Sequence, residues 1–212
     1  MGPAPPDPDA DLLARVARGD EAAARDLFSR YRARLKRMVH LRLSCRLQGR
    51  VDDSDILQEA YMDVARRLPE YARDPKLPFF LWARHLTGLK LAEIHRRHLG
   101  TQSRAADREI SLYRGGLPEA DSISLAAQLL GQLTTPSQAA VKAERRLMVQ
   151  DALDALDPLD REVLALKHFE QLSTSEMAEV LGLSKAGAGS RYLRAIKRLR
   201  EILSSVPGFE EL

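Results

Sequence analysis

Apolar residues in this chain recur at intervals of three and four, the spacing of one helix face, and nowhere alternate as a half-buried strand requires. Leu27, Phe28, Tyr31, Leu35, Met38, Val39 and Leu43 make one such stripe, and Ile56, Leu57, Ala60, Tyr61, Val64, Ala65 and Leu68 make another. Aromatic residues are only 5% of the 212. The other apolar residues are mostly Leu, Ala and Val, and straight-chain side chains lose little rotamer freedom in a helix. No hairpin signature interrupts the pattern. The expected fold class is all-α.

Punctuation divides the chain into two small helical domains. A Pro-rich leader, 1–8, precedes a short helix from Asp9 to Arg18 closed by Gly19, and Asp20 is placed to cap a long one. The next helix starts at Asp52 to Ser54, with Pro69 just past its end, and another runs from about Phe79 to His98. The first domain therefore spans 9–99. Residues 100–136 carry Gly115-Gly116-Leu117-Pro118 and one modest apolar patch at Leu125 to Leu133, and read as a linker with at most one short helix. That is longer than a compact domain normally tolerates as a loop. Helical signal returns in 137–205 as four helices, Ser137–Leu156, Asp160–Phe169, Ser173–Gly182 and a last one after Ser184 to about Leu203; 206–212 is a tail.

Composition excludes several classes. With 44% hydrophobic and 30% charged residues the chain is outside the disordered range. Its single Cys45 rules out an internal disulfide framework and a cysteine-only zinc site. No apolar run nears the roughly 20 residues of a membrane span. The opening residues hold no basic segment followed by an apolar one, and Pro6 stands where a myristoylation site needs Ser or Thr. A cytoplasmic chain without membrane insertion is the expectation. Net charge is only +3, but acid gathers from Asp52 to Asp63 and base from Lys185 to Arg200. Charge sorted in this way implies partners of both signs.

The sharpest local signal runs from Leu172 to Arg200. It is a short helix, a tight Gly182-Leu183-Ser184 turn and a longer basic helix, which is helix-turn-helix geometry. Ser173 and Glu176 have capping-box spacing. In the second helix Leu193, Ile196, Leu199 and Leu203 are expected to face inward. Lys185, Arg191, Arg194, Lys197 and Arg198 are then the candidate DNA-binding residues, the helix start entering a major groove while the cations grip phosphates. Ala186, Gly187, Ala188 and Gly189 at its head either permit close backbone approach or fray the first turn. An ordinary helical hairpin with a solvated basic face is the bland alternative.

The acidic helix carries Asp55, Gln58 and Glu59, with Asp55, Glu59 and Asp63 on one face. Without a His in that helix a metal or acid–base site is disfavoured, leaving helix-terminus electrostatics or an acidic docking face. From Phe79 to His98, Phe79, Phe80 and Trp82 precede Lys90, Arg96 and Arg97. Aromatic residues interleaved with base suit melted DNA, although Phe80 and Trp82 serve equally well as core. His95 and His98 lack a third metal ligand, and no nucleophile-elbow pattern is present. No catalytic residue, metal or cofactor is expected.

Taken together these blocks resemble an extracytoplasmic-function (ECF) sigma factor of the sigma-70 family. The family's D-x-x-Q-E helix is matched by Asp55-Ile56-Leu57-Gln58-Glu59, continuing to Leu68-Pro69. Its aromatic segment with a following Arg pair is matched by Phe79, Trp82 and Arg96-Arg97, and its L-x-x-x-x-R-E-V-L block by Leu156 and Arg161-Glu162-Val163-Leu164, running into the helix-turn-helix. The resemblance covers about Asp11 to His98 and Ser137 to Leu203. It implies a non-enzymatic protein that lends promoter choice to core RNA polymerase, through the β′ clamp helices and β flap. Asp55, Gln58 and Glu59 would dock on polymerase. Trp82, Lys90, Arg96 and Arg97 would hold the −10 element, and the last helix would read the −35 element. It leaves room for an anti-sigma factor. The chain departs from the family where Ala186 to Gly189 replace a common G-T-V-K, and where Leu89 replaces a frequent Asn. A free-standing helix-turn-helix regulator is the alternative, and it leaves the acidic helix and the aromatic segment idle.

Overall fold

The structure, a computed structural model, describes residues 8–44, 46–99, 118, 120, 122–131 and 139–204. Nine α-helices occur among them, and no strand. The first four are α1 (Ala10–Ala17), α2 (Glu21–Arg42), α3 (Asp53–Tyr71) and α4 (Phe79–Leu99). The others are α5 (Ser122–Gly131), α6 (Ala139–Asp154), α7 (Pro158–Leu164), α8 (Thr174–Leu181) and α9 (Lys185–Ser204). A π-helical turn, Ala165–Phe169, continues α7. No helix among the described residues is long and apolar enough to cross a membrane.

Helix starts follow the polar caps. The Asp20 carboxylate accepts from the Ala22 and Ala23 amides at 2.9 and 3.1 Å, and Asp52 accepts from Ser54 at 2.6 Å. Each such cap satisfies donors that the first turn leaves open, worth about 1 kcal/mol. The capping box of Ser173 and Glu176 is formed in both directions, at 3.2 and 2.7 Å. One boundary differs from expectation: Pro69 lies inside α3, which continues to Tyr71. Tertiary contacts hold that final turn, since the Tyr71 hydroxyl donates to the Leu77 carbonyl at 2.6 Å and its ring stacks on Trp82.

In the N-terminal bundle α2, α3 and α4 bury Leu27, Leu35, Met38, Ile56, Leu57, Leu68, Phe79 and Leu91. Each such side chain contributes about 1.5–3 kcal/mol by leaving water. α1 lies across α2, pinned by buried Asp9, which accepts from Arg30 and from the Tyr31 hydroxyl, both at 2.6 Å. In the C-terminal bundle α7 and α8 pack on α9. α5, within the segment read as linker, packs on α6 through Leu125 and Ala126 together with Val149 and Leu153. That apolar patch is helix core, while much of the rest of 100–136 lies outside the described residues.

The two bundles touch. Leu41 of α2 sits in the cluster built by Leu125, Leu153, Leu164 and Phe169. Conversely Val163, Leu166, Leu172 and Met177 join the cluster of the N-terminal bundle. Local sequence patterns do not announce this seam.

Candidate docking face and nucleic-acid interface

On α3 the burial of Ile56, Leu57, Ala60, Val64 and Leu68 turns the opposite face to solvent. Asp55, Gln58, Glu59 and Met62 line one shallow depression there. Met62, 59% exposed, joins the face without having been expected on it. Its only signal in the sequence is a large apolar side chain on the wrong face of a well-defined stripe. A thioether between carboxylates makes a surface that can accept both cations and apolar atoms of a partner.

Lys90 belongs to this face rather than to a free cationic surface. Its ammonium lies 3.1 Å from Asp63, 2.9 Å from Glu93 and 3.9 Å from Glu59, with 14% of the side chain exposed. These carboxylates hold its charge, and the hydrogen bond to Glu93 raises its pKa above the ordinary lysine value. Lys90 therefore ties α4 to α3. Arg96 and Arg97 are exposed at the end of α4, Arg97 bonded to Glu93 at 2.6 Å. Trp82 is half-buried, stacked on Tyr71 at 4.3 Å between ring centres. It serves as core on one face, and the pair of arginines lies farther down the same helix.

α9 is the basic element. Its inward arc comprises Ala188, Tyr192, Ala195, Ile196, Leu199 and Leu203, and Leu193, expected inside, is instead 67% exposed. At about 100° per residue it stands one step round the helix from Tyr192, beyond the edge of that arc. Lys185, Arg194 and Arg198 are exposed and have no ion-pair partner among the described residues. Lys197 faces Glu201 only loosely, at 3.8 Å. Arg191 differs. Its guanidinium donates to Asp160 and Asp157, both at 2.7 Å, and so fastens α9 to the start of α7.

The glycines at the head of α9 have a local explanation in one case. The Ser184 hydroxyl accepts from the Gly187 amide at 3.0 Å, and a Cβ at 187 would meet that oxygen at 3.0 Å. The cap needs the room. Gly182 sits at φ +63° and supplies the left-handed residue that ends α8 before the turn.

Two half-buried histidines, His85 and His95, lie on α4. Burial pushes His85 and His95 below the usual imidazole value, with cationic Arg84 and Arg67 adding to the effect at His85. The His95 Nε2 accepts from the Ser44 amide at 3.3 Å, which requires the neutral ring. An unfolded chain takes up these protons near pH 6.5, the folded one only below it. Stability is thus whole above about pH 6.5 and falls as pH drops below that. Asp20, Asp52 and Glu170, all held below the usual carboxylate range, stay charged through this window. The melting temperature is expected to decline from pH 7.5 to 5; a flat profile contradicts this account of the histidines.

Among the described residues no group of three or more His, Cys, Asp or Glu side chains is arranged to hold a metal. The chain is similar to known proteins along most of its length. Residues 146–199 match the family model for sigma-70, region 4. The chain is 28% identical over 196 residues to the ECF RNA polymerase sigma factor ShbA of Streptomyces griseus, covering 90% of this chain and 93% of that one. It is 25% identical over 190 residues to the ECF RNA polymerase sigma factor SigD of Mycobacterium tuberculosis, covering 90% and 81%. Its fold matches the solved structure of CnrH in complex with the cytosolic domain of CnrY, with a TM-score of 0.55, 22% identity and coverage of 93% and 97%. The matched region falls on the helix-turn-helix, and the full-length relatives extend the likeness over the acidic and aromatic helices. Over about nine-tenths of its length the chain is similar to ECF RNA polymerase sigma factors, and its C-terminal helices match sigma-70 region 4.

Proposed function

We propose that this chain is an RNA polymerase sigma factor in which the α3 face docks on core polymerase and the two bundles divide the promoter between them. The observation that carries the reading is the coexistence of two unlike surfaces on one chain. The Asp55, Gln58, Glu59 and Met62 face suits a basic protein helix, such as the β′ clamp helices. The exposed cations of α9 suit DNA. A free-standing regulator uses only the second.

Within this reading Lys185, Arg194, Lys197 and Arg198 contact the −35 element, with Arg191 positioning their helix against α7. Arg96 and Arg97 meet the −10 region beside the Trp82 segment, and Lys90 braces the docking face. The C-terminal bundle engages the β flap. The protein acts in the cytoplasm and confers promoter choice on the polymerase, performing no catalysis of its own. CnrH has been solved with the cytosolic domain of CnrY bound, and by that likeness an anti-sigma factor is the class of regulator to seek here. The test is reconstitution with bacterial core polymerase and promoter fragments from the source genome. Specific run-off transcripts that depend on the chain support the reading. Tight, specific duplex binding without core, and no transcripts, supports a regulator.

A further inference from the structure

We propose that Glu170, clasped by Arg42 and Arg84, is the bolt of an ionic latch that keeps the two bundles together in the free protein and is withdrawn when the chain spans a promoter. The release half of this proposal rests on the sigma-factor reading; the closed half does not.

The geometry is that of a two-armed clasp. Glu170, at the end of the π turn, is 0% exposed, and Arg42 of α2 and Arg84 of α4 are each 2% exposed. Arg42 donates to Glu170 Oε1 through Nε at 2.9 Å and Nη2 at 2.6 Å. Arg84 donates to Oε2 through Nε at 2.6 Å and to Oε1 through Nη2 at 3.1 Å. Arg42 reaches further, to Glu162 at 2.5 Å and to the Pro118 carbonyl at 2.9 Å, so a residue of the connecting segment is tied to the same guanidinium. Beside it Arg34 meets Glu176 at 3.1 Å, and Arg37 meets the Gln171 side chain at 2.9 Å. Every cation comes from the N-terminal bundle and every carboxylate from the C-terminal one.

A buried ion cluster is a poor way to add stability, since well-packed apolar residues do as well or better. It is a good way to make a seam that can part. Separated charges return to water, where they are well solvated, so the cost of opening falls on the apolar contacts of Leu41, Val163, Leu166, Leu172 and Met177. Gln171, next to the bolt, holds φ +57°, a left-handed conformation that a non-glycine residue adopts at a cost. Its carbonyl accepts from Arg34 across the seam at 3.3 Å.

Distance requires the opening. Elements centred at −10 and −35 lie about 25 base pairs apart, roughly 85 Å at ~3.4 Å per pair. Two touching bundles of about 70 residues each have centres only some 25–30 Å apart. The clasped form cannot address both elements at once.

The test uses full-length chain in a Cys45→Ser background, labelled at Lys76→Cys and Glu201→Cys with a donor and acceptor dye. Wild type is expected to show high energy transfer. Glu170→Gln, which keeps the shape and removes the charge, shifts the closed-to-open ratio by about a hundredfold or more and lowers transfer, with helix content unchanged. Arg84→Met, from the opposite bundle, must do the same. Low transfer in wild type, or equal transfer in all three chains, overturns the latch. Loss of helix in both variants with no open folded species also overturns it, because the cluster is then part of one indivisible core. Adding core polymerase to wild type should abolish transfer. Core that binds and leaves transfer high overturns the release half. A chain that is latched but does not bind core at all refutes the proposed function and supports the closed half.

Discussion

Reversing the charge at Asp55 and Glu59 to Lys is expected to remove binding to core RNA polymerase while the chain stays folded. Both side chains are exposed on α3, and surface substitutions of this kind usually move stability by less than about 0.5 kcal/mol. Asp55 lies in the first turn, where a cation opposes the helix dipole, which adds a cost of about 0.3–1 kcal/mol. Glu59 is the most distant of the three carboxylates around Lys90, so Asp63 and Glu93 still neutralise that ammonium. The fold is little disturbed. Binding suffers far more, because two like-charge pairs facing a basic partner cost several kcal/mol, a drop of about a hundredfold or more. Met62→Ala removes only apolar surface and weakens binding by a smaller factor. Core binding within twofold of wild type in the double variant excludes α3 as the docking face.

Replacing Lys185, Arg194, Lys197 and Arg198 by Ala is the second large effect. Each cation taken off a phosphate flattens the logarithmic salt dependence of duplex binding by about 0.9, so four lower the slope by about 3 to 4. Affinity for −35 duplex falls by about a hundredfold at moderate salt, while core binding through α3 is retained. Arg191→Ala is the control with a different signature. It breaks the pairs to Asp157 and Asp160 and lowers the melting temperature of the chain more than it flattens the salt slope. If Arg191→Ala and the fourfold variant behave alike, the division between reading and positioning residues is wrong.

The helices and their caps are legible in the sequence because the physics that sets them is local. Asp20, Asp52 and the Ser173–Glu176 box each lie within four residues of the amides they satisfy, and the stripes of α2 and α3 show at a period that needs no partner. Leu193 falls one step outside the face its spacing suggests, because packing against α6 and α7 sets the inward arc of α9. Pro69 looks like a stop because propensity favours one. The turn survives because Tyr71 has a hydrogen bond and a stacking partner to hold it. Glu93, three residues on, is the one local partner of Lys90; Asp63 on α3, and Asp157 and Asp160 for Arg191, lie on other elements, so both side chains look like free cations in the sequence. The clasp is invisible for the same reason on a larger scale. Arg42 and Glu170 are 128 positions apart, and each by itself reads as an ordinary solvated charge. Local pattern gives elements and faces, and only the assembled seam shows which charges are taken out of water.

Whether two unlike surfaces of this chain act through one polymerase is decided by single-round run-off transcription with purified core, the full-length chain and a promoter fragment from the source genome. A discrete transcript that requires the chain and is lost with the Asp55→Lys, Glu59→Lys double variant is the expected result. A promoter-specific duplex complex formed equally well by both chains without core, with no transcript from either, contradicts it.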